Sequence, residues 1–187
     1  DMPTMHCNVT ERDQVEQLGR AAMDEWGTID LWINNAGIWL SNTSVEEVDF
    51  NKAQRLLDVN YFGMAYGLIE AVKHMRGPGK GVILNVLSVR SLRARALGAP
   101  YAASKFAAEG FTQSAREELR ETGIKLVGLY PYRMKTQLFT GVTYKDYDDF
   151  MAPADVAKII LDNIAKDDPD EHVEVWSTDD IRVKQIA

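Results

Sequence analysis

Asn85-Val86-Leu87-Ser88, a connection of twelve residues, and then Tyr101-Ala102-Ala103-Ser104-Lys105 form the stretch that decides how this chain is read. Just ahead lies Val82-Ile83-Leu84, a short apolar and β-branched run that reads as a buried strand of a parallel sheet. Ser88 then stands at the C-terminal end of that strand. From Tyr101 onward Phe106, Phe111, Ala115 and Leu119 recur at helical steps until Gly123 stops the pattern. Tyr101 and Lys105 are four residues apart and share a face of this helix. An ammonium beside a phenol favours the phenolate and lowers a pKa that otherwise stands near 10. A serine hydroxyl delivered from the strand end can hydrogen-bond a carbonyl or alcohol oxygen. Tyr-x-x-x-Lys alone is a weak signal, because any long helix can hold it. Ser88 at a strand end, thirteen residues earlier, strengthens it, and the three side chains together suit carbonyl and alcohol redox chemistry.

Toward the N-terminus, Thr10 reads as a helix N-cap with Asp13 three residues on. Val15, Leu18, Ala22 and Trp26 follow at helical steps, and Gly27 ends them. Residues 28 to 34 read as a strand running into the tight turn Asn34-Asn35-Ala36-Gly37. Ser44-Val45-Glu46-Glu47 resembles a capping box and opens one long helical stretch through Leu56, Val59, Phe62, Leu68, Ala71 and Met75, closed by Gly77-Pro78-Gly79. Beyond the central stretch, Lys125 to Tyr130 reads as a strand ending at Pro131, and Pro153 to Ala165 as a helix. Residues 137 to 151 are aromatic and acidic without a period, the signature of a loop or lid. His172 to Trp176 alternates as a final strand.

Strands alternating with helices imply an α/β fold, with parallel strands and helical crossovers on both faces of the sheet. Ligands in such sheets bind beyond the strand C-termini, where Asn35–Gly37, Ser88 and Pro131–Thr136 all fall. At 187 residues and 45% hydrophobic, with no repeat or linker, the chain reads as one domain. A net charge of −7 argues against nucleic acid or an anionic membrane as the principal partner. Cys7 is the one cysteine, so no internal disulfide is available, which suits a reducing cytoplasm. No apolar run approaches the roughly 18 residues needed to span a bilayer. His6, His74 and His172 are scattered, and no Cys/His spacing suggests a metal.

The order and spacing of Ser88, Tyr101 and Lys105 resemble those of the short-chain dehydrogenase/reductase family. Asn34-Asn35-Ala36-Gly37, Asn60 in Asp58-Val59-Asn60, and Pro131 to Thr136 match further motifs of that family, so the resemblance runs from Asn8 to Thr136. It implies a three-layer Rossmann-type sheet, NAD or NADP as cofactor, and a small-molecule carbonyl or alcohol substrate. In the implied mechanism Tyr101 gives or takes the proton of the substrate oxygen while hydride passes to or from the nicotinamide. Lys105 lowers the tyrosine pKa and binds the nicotinamide ribose, Ser88 steadies the substrate oxygen, and Asn60 holds a water that links the lysine to solvent. Asn35, Ala36 and Gly37 pack beside the adenosine half of the cofactor, and Asn8-Val9 falls where the family sets Asp-Val against the adenine. Pro131, Met134 and Thr136 hold the nicotinamide carboxamide, with Tyr132 standing where the family has a glycine. The resemblance also implies a dimer or tetramer built on the long helix and the Tyr101 helix. Ala102, Ala103, Ala107 and Ala108 are small enough for such packing, although packing on the chain's own sheet explains at least one face.

The phosphate-binding half of the family's site is not in this sequence. No Gly-x-x-x-Gly-x-Gly or Gly-x-Gly-x-x-Gly precedes Asn35. The strand whose end chooses between NAD and NADP is also missing. The expected fold is therefore an N-terminally incomplete Rossmann-type sheet, one truncated NAD(P)-binding domain over residues 1–187, with an apolar edge that needs a cover. Two functions stay open: an NAD(P)-dependent oxidoreductase, or a non-catalytic interaction protein of the same fold that binds no cofactor. Arg90, Arg93 and Arg95 leave open an anionic substrate, against the simpler reading of solvated loop charges. Trp39, Tyr132, Phe139, Tyr144, Tyr147 and Phe150 either line an apolar pocket or pack as ordinary core and lid.

Overall fold

The run Val82–Leu84 is the middle of strand β2 (Lys80–Val86) in the computed structural model, which describes residues 3–139 and 142–184. Asp1 and Met2 of the opening segment, and Thr140 and Gly141 of the expected lid, lie outside the described residues. Strand β2 joins β1 (Leu31–Asn34), β3 (Gly123–Pro131), β4 (His172–Val175) and β5 (Ile181–Lys184) in one sheet ordered β1-β2-β3-β4-β5. The first four strands pair in parallel, with Asn34 opposite Asn85 and Val86 opposite Leu129. β5 returns antiparallel to β4, so the expectation that β4 is the final strand is corrected. A turn makes the reversal, with Ser177 Oγ accepting from the Asp180 amide at 3.0 Å. All four residues of β5 are exposed, so no buried face imposes an alternation that the sequence could show.

The helices sort onto both faces. On one, Met64, Leu68, Ala71 and Met75 of α3 (Met64–Arg76) and Ala108 of α4 (Ala99–Leu119) pack with Ile83, Leu126 and Tyr130 of the sheet. On the other, Val156 and Ile160 of α5 (Pro153–Ile164) cover Leu84, Val127, Leu129 and Val173. Burial of these side chains supplies about 25 cal/mol per Å² of apolar surface, and it makes the three-layer Rossmann-type architecture. α1 (Arg12–Trp26) lies across α3 and leaves Trp26 exposed, as are Leu31 and Ile33 on the β1 edge.

Several local readings are corrected by where the hydrogen bonds go. Thr10 does not cap α1. Its amide and hydroxyl both donate to Asn8 Oδ1, at 3.2 and 3.0 Å, and Glu11 takes the cap position without a side-chain bond. Ser44 bonds Glu47 Oε2 at 2.8 Å, yet this opens only a 3-10 turn over Val45–Glu47. The cap of α2 (Phe50–Leu57) is Asp49, which accepts from the amides of Asn51 and Lys52. Between α2 and α3 the backbone widens into π-helical turns over Asp58–Gly63, a local expansion that is frequent at functional sites. Gly123 opens β3 instead of capping α4, because a Cβ there would lie 2.2 Å from the Gly79 carbonyl oxygen.

A buried polar chain ties the sheet to the helix that carries Tyr101. Trp32 Nε1 donates to Asn34 Oδ1 (2.8 Å), Asn34 Nδ2 to Asn85 Oδ1 (2.8 Å), and Asn85 Nδ2 to Thr112 Oγ1 (2.9 Å). Each of these polar groups is satisfied, so the chain fixes β1, β2 and α4 in one register.

Candidate active site

The parallel strands β1, β2 and β3 end on the same side of the sheet, and their ends open into a cleft of about 560 Å³. Asn35, Gly37, Ser88, Tyr101, Lys105, Pro131, Met134 and Thr136 line it, with Trp39, Tyr132 and Phe139. Residues expected from four separate stretches thus meet. Ala36 and Val9 line a neighbouring apolar groove along the β1 edge, which also holds Asn35. Asn8 sits at the entry to α1, its amide donating to Gln14 Oε1 at 2.8 Å.

Ser88 leaves β2 in an extended conformation and begins a 3-10 turn, its Oγ accepting from the Arg90 amide at 3.1 Å. Tyr101 comes from the first turn of α4, where Pro100 suits a position that needs no amide. The loop that delivers it holds Leu97 at φ 63, in the left-handed region, with the Leu97 carbonyl accepting from the Thr43 amide at 3.0 Å. The Tyr101 phenol and the Ser88 hydroxyl line the same cleft, close enough for Ser88 to act on the phenol's pKa. Burial pushes the phenol pKa up, while Ser88 and the Arg90 charge pull it the other way.

The expected lowering by Lys105 is corrected. Lys105 is itself buried, and Nζ donates to the Val86 carbonyl at 3.2 Å, back toward the sheet. Desolvation weakens its ammonium and brings its pKa down to about 8. Burial outweighs the opposing pull of Ser88 and Arg90, so the Tyr101 pKa stands above its ordinary value.

Asn60 lies behind the cleft wall at 2% exposure. Its Oδ1 accepts from the Ile38 amide at 2.8 Å, and Nδ2 donates to the Ile38 carbonyl at 2.9 Å and to Ser104 Oγ at 3.1 Å. Ser104 in turn donates to the Tyr101 carbonyl at 2.8 Å. Ile38, Val86 and Ser104 were not singled out from the sequence. A backbone carbonyl carries no residue signature, and only Ser104, inside Tyr-Ala-Ala-Ser-Lys, offered a side chain to notice.

Tyr132 does not block the cleft: its ring packs at 5.6 Å on Trp176. Trp39 and Phe139 meet edge-on at 5.5 Å, and Phe139 contacts Tyr144 and Phe150, which pack behind it. Of the expected aromatic set, three rings line the cleft and the others support them. Ala102 and Ala108 of α4 pack inward and Ala103 is exposed, so the small-residue set divides between two faces. Among the described residues, no three His, Cys, Asp or Glu side chains are placed to hold a metal ion, and no helix is long and apolar enough to cross a membrane.

A buried serine, a half-buried tyrosine, a lysine in the same cleft and a floor kept low by Gly37 can move a proton to or from a substrate oxygen beside a flat ring. Zerumbone synthase of Zingiber zerumbet is 34% identical over 134 residues, covering 71% of this chain and 50% of the relative. The 3-alpha-(or 20-beta)-hydroxysteroid dehydrogenase of Mycobacterium bovis is 34% identical over 134 residues, 72% of this chain and 51% of the relative. The chain thus spans about half the length of these curated relatives. The solved structure of ElxO with NADP bound superposes with a TM-score of 0.81 at 26% identity, over 90% of this chain and 73% of that one. Residues 1–146 match the short chain dehydrogenase family, and the chain belongs to it.

Proposed function

We propose that this chain serves an NAD(P)-dependent oxidoreductase that interconverts an alcohol and a carbonyl on a small molecule. The observation that carries this reading is that Ser88, Tyr101 and Lys105, from a strand end and one helix face, line one cleft at the strand C-termini. The residues present fit the nicotinamide end of the cofactor. A Cβ at Gly37 would lie 3.4 Å from Asn60 Oδ1 and 3.8 Å from Lys105 Nζ, so glycine keeps the floor open there. Lys105 spends one N–H on Val86 and retains two for ribose hydroxyls. Asn35, Gly37, Pro131, Met134 and Thr136 would hold the nicotinamide and its ribose, while Ala36, Val9 and Asn8 lie toward the adenosine side. When bound, the nicotinamide supplies or accepts the hydride.

The protein's own groups handle the proton. Burial keeps Tyr101 protonated at neutral pH, so its phenol is ready to donate to the oxygen of a carbonyl undergoing reduction. Ser88 donates to the same oxygen as charge develops on it. Lys105 re-supplies the tyrosine, and Asn60, with one Oδ1 lone pair left after its bonds to Ile38 and Ser104, anchors a water at the solvent end of the relay.

The relatives are named as enzymes, so the interaction-only alternative is not favoured. We read the chain as one NAD(P)-binding domain that assembles with copies of itself. Phe62, Ile69 and Phe106 are exposed on or beside α3 and α4 and support that face as the contact. The one thiol, Cys7, unpaired and half-buried, suits the cytoplasm. Fluorescence titration of the full chain with NADPH and with NADH tests the reading. Saturable binding that weakens when Lys105 is replaced by Met is expected, and no binding of either nucleotide would overturn it.

A further inference from the structure

Arg90 is a half-buried cation without a counter-charge beside the cleft, next to two of its lining residues, Ser88 and Tyr132. It stands two residues beyond Ser88, to which its amide is bonded, and its guanidinium carbon lies 5.9 Å from the centroid of the Tyr132 ring. Tyr132 lines the cleft beside Ser88, Tyr101 and Lys105. Among the described residues the Arg90 guanidinium makes no ion pair and no hydrogen bond, so its five N–H donors are unspent. Its neighbours make the position worse. Burial first, then the charge of Arg95 and more weakly that of Arg133, push its pKa down from the usual guanidinium range, against the opposite pull of Tyr132 and Tyr101.

Of the other arginines nearby, Arg95 is exposed to solvent and the remaining two have partners. Arg133 is paired with Asp146 and packs against Tyr132, Tyr144 and Phe150. Arg93 is exposed and rests on Trp176. A half-buried guanidinium left unpaired is costly, and the cost is recovered when an anion with two parallel acceptor oxygens arrives. The Ser88 side of the cleft is where the substrate oxygen binds in the reading above, on which this step rests. We infer that Arg90 anchors an oxyanion of the substrate, so that the alcohol or carbonyl compound turned over here carries a carboxylate or a phosphate group.

An anion on Arg90 also acts on Tyr101. The Arg90 charge favours the phenolate, so neutralising it raises the Tyr101 pKa and holds the proton on the tyrosine. A residue that served only to support the loop would leave that pKa unmoved by the anion.

The test uses the full chain at constant ionic strength, with benzoate, phenyl phosphate and benzamide as probes read by tryptophan fluorescence. One of the two anions is expected to bind about tenfold or more tighter than benzamide, and the better of them tells carboxylate from phosphate. Arg90→Met should abolish that preference with benzamide binding unchanged, Arg93→Met should keep it, and NADPH affinity should be equal in Arg90→Met and the parent. The phenolate difference spectrum of Tyr101 should shift to higher pH with the anion in the parent alone. Equal binding of all three probes, a preference that survives Arg90→Met, or weaker NADPH binding in that variant would overturn the assignment. If Arg90→Met does not fold, Arg90→Lys decides. A reduced anion preference is expected, because a point charge replaces the fork, and an unchanged one overturns the proposal. A parent chain that binds no NADPH would end the oxidoreductase reading and leave the anion preference measurable on its own.

Discussion

Asn60 closes on Ile38 with both ends of its amide, accepting the Ile38 N–H at 2.8 Å and donating to the Ile38 carbonyl at 2.9 Å. This one pair joins the π-helical turns to the segment that follows the Asn35–Gly37 turn, and so places the cleft floor relative to α4.

Asn60→Leu strands both backbone groups of Ile38 in a buried setting. The expected loss is about 1–3 kcal/mol of stability, read as a lower urea midpoint with an unchanged slope. An unchanged midpoint would show that Ile38 finds other partners.

Tyr101→Phe removes one oxygen and leaves the ring packing intact. Its circular dichroism and thermal midpoint should match the parent, while turnover of any alcohol or carbonyl substrate falls by about 100- to 10,000-fold. Ser88→Ala should fall in the same direction and, by removing a group that pulls the Tyr101 pKa down, raise that pKa further.

Lys105 makes stability depend on pH with a defined sign. Folding lowers its pKa from 10.5 to about 8, so between those values the unfolded chain holds a proton that the folded chain has released. Its contribution to stability therefore rises as pH climbs through that window, by up to a few kcal/mol, and is lost again as pH falls through 8. Lys105→Met removes this rise. Urea unfolding of both chains from pH 7 to 10.5 should show the parent gaining on the variant, and parallel curves would refute the burial of a weakened ammonium.

Gly67 gives the Trp32–Asn34 bond its room. A Cβ at that position would lie 2.0 Å from Asn34 Oδ1 and 3.0 Å from Trp32 Nε1. Although alanine is the better helix former, Gly67→Ala should destabilise the fold by about 1–3 kcal/mol. A stabilised variant would mean that the polar chain from Trp32 to Thr112 yields without cost.

Much of this was legible in the chain itself. Val82–Leu84, the Tyr101 helix and the face of α5 have periods that burial enforces, so they appear where the apolar residues recur. Element ends were less legible. Thr10 and Ser44 have the chemistry of caps, yet Asn8 captures the first and a single 3-10 turn absorbs the second. β5 carries no periodic signature in the sequence because all of its residues face solvent.

By itself the sequence determined which chemical groups are present and in what order: a serine at a strand end, and a tyrosine and a lysine one helical turn apart. Side-chain identity and spacing are local properties, and a periodic element carries them into place. Only the tertiary structure decided which groups neutralise which. It turned the Lys105 ammonium to the Val86 carbonyl, spent Asn60 on Ile38, paired Arg133 with Asp146 and left Arg90 open. Backbone carbonyls look alike in every sequence, and the field at a buried charge depends on distances between residues far apart in the chain. The protonation state of the cleft was therefore settled by packing.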